Sequence, residues 1–181
     1  MFCLAIGEAL PAPMLVPVVW SVVVFVWAVE FGRQRSATVQ RWTLQVVGAM
    51  VHPSERKQVI SGTWYISAVG LLVLVVDIEF IAIAMAAVGF GDPAAGLVGR
   101  RWGRTRLLAN RSLEGSVAYV VAGTIAAVVV LQIWHAPARW TPALAGAVAA
   151  ALAELGSGGR LDDNLTAPLA AAGAAWWVVS A

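Results

Sequence analysis

The sequence predicts an all-α fold, a polytopic membrane bundle of about six transmembrane helices that forms one integral membrane domain over residues 1–181. Two features of composition support this prediction. Hydrophobic residues make up 60% of the chain and charged residues only 12%, whereas a soluble domain is about half apolar and a quarter charged. The mean hydropathy is +0.80. The third observation is that apolar runs recur at lengths close to the roughly 20 residues that cross a bilayer.

The apolar runs define the candidate spans in order along the chain. The first is rich in Val and Trp, and Ser21 is its one clearly polar member. A short amphipathic stretch, 42–50, follows and is expected at the membrane interface. Pro53 should end that helix, and Ser54 is a plausible N-cap for the next. The predicted spans are 13–29, 59–76, 78–90, 116–134, 140–155 and 164–179.

The basic residues predict how these spans are oriented. When the spans alternate in direction, the segments 31–58, 92–115 and 156–163 share one side and hold eleven of the twelve basic residues. Cytoplasmic loops carry the excess of Lys and Arg in membrane proteins. The three segments are therefore expected to be cytoplasmic, and most residues capable of chemistry would face that side.

Charge and cysteine content exclude several other classes. The net charge of +2 is too small to indicate a nucleic-acid partner, and the single Cys3 allows no internal disulfide. No basic stretch precedes the first apolar run, so we expect a retained span and not a cleaved signal peptide. The Gly- and Ala-rich span 140–155 would allow close helix contacts, which leaves a homo-oligomer open.

The most informative polar segment is 92–115, which carries glycines, five arginines and two carboxylates. Gly96, Gly99 and Gly103 allow close backbone approach, as a polyphosphate cradle requires, and arginines pair with phosphate oxygens. Asp92 and Glu114 are oxygen ligands of the type that Mg²⁺ uses beside a nucleotide. The alternative is close helix packing through small residues with arginines as topology anchors. The Gly-Lys-Ser/Thr ending of a Walker A loop is missing.

A second polar cluster lies near the ends of the last two spans. Glu154 would be costly in the membrane without a partner or a watery cavity. Asp162 or Asp163 could cap the last span, since a carboxylate there accepts backbone N–H bonds. That interpretation leaves Asn164 and Glu154 unexplained, and the set would suit metal coordination or a general base.

The third cluster, in segment 33–57, favours the binding of anionic lipid headgroups for most of its basic residues. Glu55 and Arg56 could instead complete an active site. His52 is read as a capped interfacial residue.

The segment 92–115 resembles the nucleotide motif of the CTP-dependent polyprenol kinase family, which includes dolichol kinase, phytol kinase and CTP-dependent diacylglycerol kinase. The stretch 162–168 is similar to the family's Asp-Asn-Leu…Pro element, and Glu154 stands where the family often carries a glutamate. The stretch with Glu55 and Arg56 also looks like a family segment. Arg111 replaces the usual lysine. The matching motif positions are Asp92, Ala95, Gly99, Gly103, Arg111, Glu114 and Gly115.

The resemblance implies a transferase that moves the γ-phosphate of CTP to a membrane lipid alcohol with the help of Mg²⁺. Asp92, Glu114 and Asp163 would hold the metal with the assistance of Asn164. Glu154 or Asp163 would accept the alcohol's proton. Binding of the nucleotide would fall to Ala95, Gly99, Arg100, Gly103, Arg104, Arg111, Glu114 and Gly115.

Two rival functions remain open from the sequence. A phosphatidate cytidylyltransferase also uses CTP and Mg²⁺ in a membrane, but it would release pyrophosphate and form a CDP-lipid. A non-catalytic transporter or scaffold would instead line a path through the bilayer with polar residues, and charge in the middle of the predicted spans is scarce.

Overall fold

The computed structural model describes residues 12–48, 51, 58–108, 111–133, 140–157 and 162–181. Within these ranges the fold is all-α, as predicted, and the sole β-type pairing is one isolated bridge between Arg106 and Ser112. The predicted site residues Glu55 and Arg56, together with His52, lie outside the described residues. The helices are α1 (Ala12–Arg35), α2 (Ala37–Val47), α3 (Ser61–Leu72), α4 (Ile78–Trp102), α5 (Leu113–Ile133), α6 (Trp140–Gly156) and α7 (Asp163–Ser180).

Three stretches are long and apolar enough to cross a bilayer, judged by length and composition among the described residues: Met14–Arg35, Ile78–Trp102 and Leu113–Gln132. The helix Trp140–Gly156 is apolar but shorter. These features support a membrane protein built as a helix bundle. The count of six spans stays a prediction.

Helix α4 is longer than the predicted span 78–90, because it continues through Asp92 and Pro93 to Trp102. The apolar run therefore ends near Asp92, but the helix does not. Helix α3, in contrast, ends at Leu72 and leads into a turn, whereas the predicted span extended to residue 76. Hydropathy reports whether side chains lie in lipid or in water. It does not report where a helix begins or ends, so the helix bounds differ from the predicted spans.

Helix α4 is the centre of the bundle, since it packs against α5, α6 and α7. It is antiparallel to α5, and small residues bring the two backbones close together. A Cβ atom added to Gly123 would lie 2.9 Å from the carbonyl oxygen of Ala87, and one added to Gly91 would lie 2.6 Å from the ring of Tyr119. Such contacts between small residues are the usual means of tight helix packing in membranes.

Helix α1 lies at the edge of the bundle, where it packs against α2 and α3. The indole Nε1 of Trp27 donates a hydrogen bond to Ser67 Oγ at 3.0 Å, and the Trp27 ring meets that of Trp64 edge-on. Helix α3 in turn packs against α7. The short α3 therefore connects the edge of the molecule to its central helices.

Candidate active site

Polar side chains from four helices meet at one end of the bundle. Helices α4 and α6 end there, while α5 and α7 begin there, because successive helices run in opposite directions. The loop between α4 and α5 carries Arg111 to the centre of this end. The three carboxylates predicted to be catalytic, Asp92, Glu154 and Asp163, surround it.

Arg111 contacts all three of these carboxylates. Its Nη1 atom lies 2.5 Å from Oε1 of Glu154 and 3.9 Å from Oδ1 of Asp92. Its Nη2 atom donates a hydrogen bond to Oδ2 of Asp163 at 3.0 Å. One guanidinium thus faces three carboxyl groups that are far apart in the sequence.

The three carboxylates differ in their exposure to solvent. The side chain of Glu154 is 8% exposed, that of Asp163 35% and that of Asp92 58%. Glu154 therefore forms the buried floor of the cluster, and Asp92 forms its open rim. Burial of a carboxylate disfavours its charged form. At Asp163, which precedes the predicted span 164–179, burial and the neighbouring Asp162 raise the pKa, although Arg111 opposes that shift.

The start of α7 holds Asp163 in place. Asp162 is the N-cap, and its Oδ1 atom accepts hydrogen bonds from the backbone N–H and the side-chain amide of Asn164, both at 3.0 Å. The same Asn164 amide donates to Oδ1 of Asp163 at 3.0 Å. The predicted N-cap is therefore Asp162, and the second carboxylate oxygen of Asp163 contacts Arg111.

A cavity of about 350 Å³ lies beside the carboxylate cluster. It combines a floor of small residues with three guanidinium groups, which is the composition expected for a phosphate cradle. Glu154 joins this cavity to the cluster around Arg111. The lining residues are Ala95, Gly96, Gly99, Arg100, Arg106, Arg111, Ser112, Gly115, Ser116 and Glu154.

The motif glycines are also needed for helix packing. A Cβ atom on Gly103 would lie 2.3 Å from the carbonyl oxygen of Gly99, and one on Gly115 would lie 3.0 Å from that of Ala95. Both would also press on Ser112 Oγ, which accepts a hydrogen bond from the Gly115 N–H at 3.1 Å. The two interpretations of these glycines are therefore compatible, because close packing of α4 on α5 creates the floor of the cavity.

Two further predicted residues, Glu114 and Arg104, lie at the loop between α4 and α5. The carboxylate oxygens of Glu114 accept the backbone N–H of Thr105 at 3.2 and 3.3 Å, so this side chain holds the loop between α4 and α5. Arg104 is exposed and does not line the cavity. Glu114 thus contacts the loop, and its role as a metal ligand beside Asp92 and Asp163 stays a prediction.

Sequence reasoning missed some lining residues, notably Arg106 and Ser112. The bridge between these two residues folds the loop back on itself, and the N–H of Leu107 donates to the carbonyl oxygen of Arg111 at 2.8 Å. Arg106 belonged to the recognised arginine cluster, but the sequence did not indicate which arginines turn toward the cavity. Nothing in the spacing distinguished Ser112.

Arg33 belongs to a different environment from the one predicted for it. It lies on α1 with only 2% of its surface exposed and forms a bidentate ion pair with Glu30, which is 3% exposed. Its Nη2 atom also donates to the carbonyl oxygen of Gln58, just before α3. A buried and paired arginine cannot bind lipid headgroups, so that interpretation fails for Arg33.

Similarity to a known protein extends over about half of the chain. The chain is similar to a phytol kinase. The relative is the phytol kinase of Synechocystis sp., with 40% identity over 101 residues, which is 54% of this chain and 43% of the relative. This similarity confirms the resemblance to the polyprenol kinase family that the motifs predicted. The matched stretch spans less than half of the relative's length, and no family model or solved structure matches the chain.

Proposed function

We propose that this protein is a CTP-dependent lipid kinase that transfers the γ-phosphoryl group of CTP to the hydroxyl of a membrane lipid alcohol. One observation carries the proposal: Asp92, Glu154 and Asp163 converge on Arg111 beside a cavity lined by glycines and arginines, at the end of an apolar bundle. The similarity to a phytol kinase supports a lipid alcohol as the acceptor.

In the proposed reaction, the oxygen of the lipid alcohol attacks the γ-phosphorus of CTP. The new bond joins that oxygen to phosphorus, and the bond between the γ-phosphorus and the β–γ bridging oxygen breaks. The products are a lipid monophosphate and CDP. Phosphoryl transfer requires mainly positioning and charge stabilisation from the protein.

The triphosphate would bind in the cavity of about 350 Å³. Arg100 and Arg106 line that cavity together with Arg111, and guanidinium groups neutralise phosphate charge through paired hydrogen bonds. Gly96 and Gly99 line the cavity without side chains, which allows close approach of the phosphate oxygens. The predicted contact from Arg104 would require a change in the loop, because this side chain does not line the cavity.

The carboxylates suit Mg²⁺ through a small ligand set. Among the residues that the structure describes, no three His, Cys, Asp or Glu side chains are close enough to bind one metal directly, and Arg111 lies between the carboxylates. Mg²⁺ usually takes one or two protein carboxylates together with substrate phosphates and water. Asp92 and Asp163 could supply those two ligands, and Asn164 orients Asp163. When bound, Mg²⁺ would neutralise the phosphate charge that develops during transfer.

Glu154 is our first choice for the base that receives the proton of the alcohol, and Asp163 is the second. Glu154 is buried between the cavity and the other carboxylates, where an alcohol entering from the membrane would meet it. Its ion pair with Arg111 links this role to nucleotide binding, since phosphate that engages Arg111 would weaken its hold on Glu154.

The site is proposed to face the cytoplasm. Arg100, Arg101, Arg104, Arg106 and Arg111 all lie at the same end of the bundle as the carboxylate cluster. An excess of Arg and Lys marks the cytoplasmic ends of membrane helices, and CTP would reach the cavity from that side.

The test is to incubate the purified protein with Mg²⁺, a panel of lipid alcohols, and CTP or ATP labelled at the γ-phosphate. We expect label in the lipid with CTP as donor and release of CDP. Formation of a CDP-lipid with release of pyrophosphate would show a cytidylyltransferase instead, and no turnover with any acceptor would contradict the proposal. Asp92→Ala with full turnover would refute the metal assignment.

A further inference from the structure

A second cavity, of about 370 Å³, lies between α1, α3 and α4 and is almost wholly apolar. We call it the apolar groove. Its walls include Leu15 and Val19 of α1, Ile66 and Val69 of α3, and Ile81 and Gly89 of α4. The residues that the structure places there carry no charged side chain, so the groove is suited to hydrocarbon.

The apolar groove lies along the same face of α4 as the cavity of about 350 Å³ beside Arg111, which we call the phosphate cavity. With 3.6 residues per turn, Ile78, Ile81, Met85 and Gly89 share a face with Asp92, Gly96 and Arg100. The first four line the groove, and Gly96 and Arg100 line the phosphate cavity. Asp92 lies at the junction, one helical turn beyond Gly89, so the two cavities follow each other along the helix.

The length of the groove matches one leaflet of a bilayer. Eleven residues separate Ile78 from Gly89, which corresponds to about 16 Å along a helix. One leaflet is half of the hydrocarbon core of about 30 Å. A single lipid chain with its polar end at Asp92 would therefore extend along the groove toward the middle of the membrane.

We propose that the apolar groove binds the hydrocarbon chain of the acceptor alcohol and holds its hydroxyl group between Asp92 and Glu154, which both contact Nη1 of Arg111, within reach of the phosphate cavity. This inference rests on the proposed kinase function. The occupant is a lipid with one chain and a terminal hydroxyl. Such a lipid has an apolar body followed by a polar end, and α4 carries the apolar groove followed by polar residues in the same order.

Gly89 offers a way to test the groove without disturbing the bundle. A Cβ atom added there would have one neighbour within 4 Å, the hydroxyl of Tyr65 at 3.9 Å. A larger side chain would therefore project into the groove and shorten the space below Asp92. Gly173 on α7 is a matched control, since it is exposed, lines neither cavity and has nothing within 4 Å of an added Cβ atom.

The first experiment compares phosphorylation of a C20 and a C10 prenyl alcohol by Gly89→Leu and Gly173→Leu. In Gly89→Leu, the ratio of kcat/KM for the C20 alcohol to that for the C10 alcohol should fall about tenfold, the equivalent of about two buried methylene groups. In Gly173→Leu the ratio should equal that of the wild type. An unchanged ratio in Gly89→Leu, with thermal stability preserved, would overturn the proposal.

A second experiment needs no turnover. A C20 alcohol with a photoactivatable diazirine in its chain is irradiated with the full-length protein in vesicles of phosphatidylcholine, and the labelled residues are mapped. We expect label on α1, α3 and α4 that Gly89→Leu removes and Gly173→Leu retains. Equal competition by a C20 alkane without a hydroxyl would overturn the anchoring between Asp92 and Glu154. Specific labelling of the groove without kinase activity would refute the proposed kinase function and support lipid binding in the groove. Kinase activity with label on other residues would support the kinase function and refute lipid binding in the groove.

Discussion

The molecule contains two arginine–carboxylate clusters that differ in almost every respect. Arg33 pairs with Glu30 one turn away on the same helix, and both are almost fully buried. Arg111 lies in a loop and meets carboxylates from α4, α6 and α7, with a third of its side chain exposed. The first cluster has one carboxyl group for its guanidinium, whereas the second has three.

This difference separates a structural ion pair from a binding site. The guanidinium of Arg33 is shared between Glu30 and the Gln58 carbonyl group, so its hydrogen-bonding capacity is used within the fold. The Arg111 cluster has more carboxyl groups than its guanidinium can pair, and it lies beside an open cavity where a cation and a phosphate can be accommodated. The ratio of carboxyl groups to guanidinium groups and the openness of a cluster, and not the presence of an ion pair, therefore indicate function.

The largest effect is expected from Arg33→Met, which leaves the Glu30 carboxylate buried without its cation. Breaking a buried ion pair by removing one partner costs about 3–5 kcal/mol. The thermal unfolding temperature of the purified protein should fall sharply, while the protein that stays folded keeps its turnover. The double variant Glu30→Leu/Arg33→Met should recover much of the loss, since it leaves no buried charge. A single variant as stable as the wild type would contradict the structural role.

Arg111→Gln should lower the catalytic efficiency of the proposed kinase. Removing the group that faces both the carboxylates and the phosphate cavity is expected to lower kcat/KM about 10²- to 10³-fold, as for other charge-stabilising donors. Arg111→Lys should retain measurable activity, because it keeps the positive charge but loses the paired geometry. Steady-state kinetics with varied CTP would detect both changes. Wild-type kinetics in Arg111→Gln would remove this cluster from the mechanism.

A smaller effect is expected from Gly103→Ala, which tests whether packing shapes the cavity. The new methyl group would press on the Gly99 carbonyl oxygen and on Ser112. Overpacking of this kind costs about 1–3 kcal/mol, and the displaced Ser112 should weaken nucleotide binding as well. Gly173→Ala, where the added atom meets open space, is the control. Equal melting temperatures for the two variants would argue against tight packing at Gly103.

Glu114→Gln should have the smallest effect if Glu114 only holds the loop. The amide oxygen of glutamine can still accept the Thr105 N–H. The decrease in kcat/KM should therefore be at most roughly fivefold, which corresponds to the free energy of one hydrogen bond, about 1 kcal/mol. The Mg²⁺ concentration for half-maximal activity should not change. A large increase in that concentration would support the predicted role of Glu114 as a metal ligand.

The chemistry of the Arg111 cluster could be predicted from the sequence, but its arrangement could not. Asp92, Glu154 and Asp163 were identified because carboxylates in an apolar chain are costly and because they fit a family motif. Their meeting at Arg111 depends on the packing of four helices. Likewise, the sequence did not indicate that Glu114 accepts the Thr105 N–H or that Arg104 is exposed outside the cavity lining, because both depend on the fold of the loop.

The amino-acid order by itself determined that the chain is all-α, that it is suited to a membrane, and that its polar residues gather at one end, because these properties follow from local hydropathy and charge. The tertiary structure decided that α4 continues through Asp92, that Arg33 is buried, and that an apolar groove lies along α4 on the face that carries Asp92. Those features depend on contacts between residues distant in the chain, such as Gly91 with Tyr119 and Arg111 with Asp163, which no local pattern encodes.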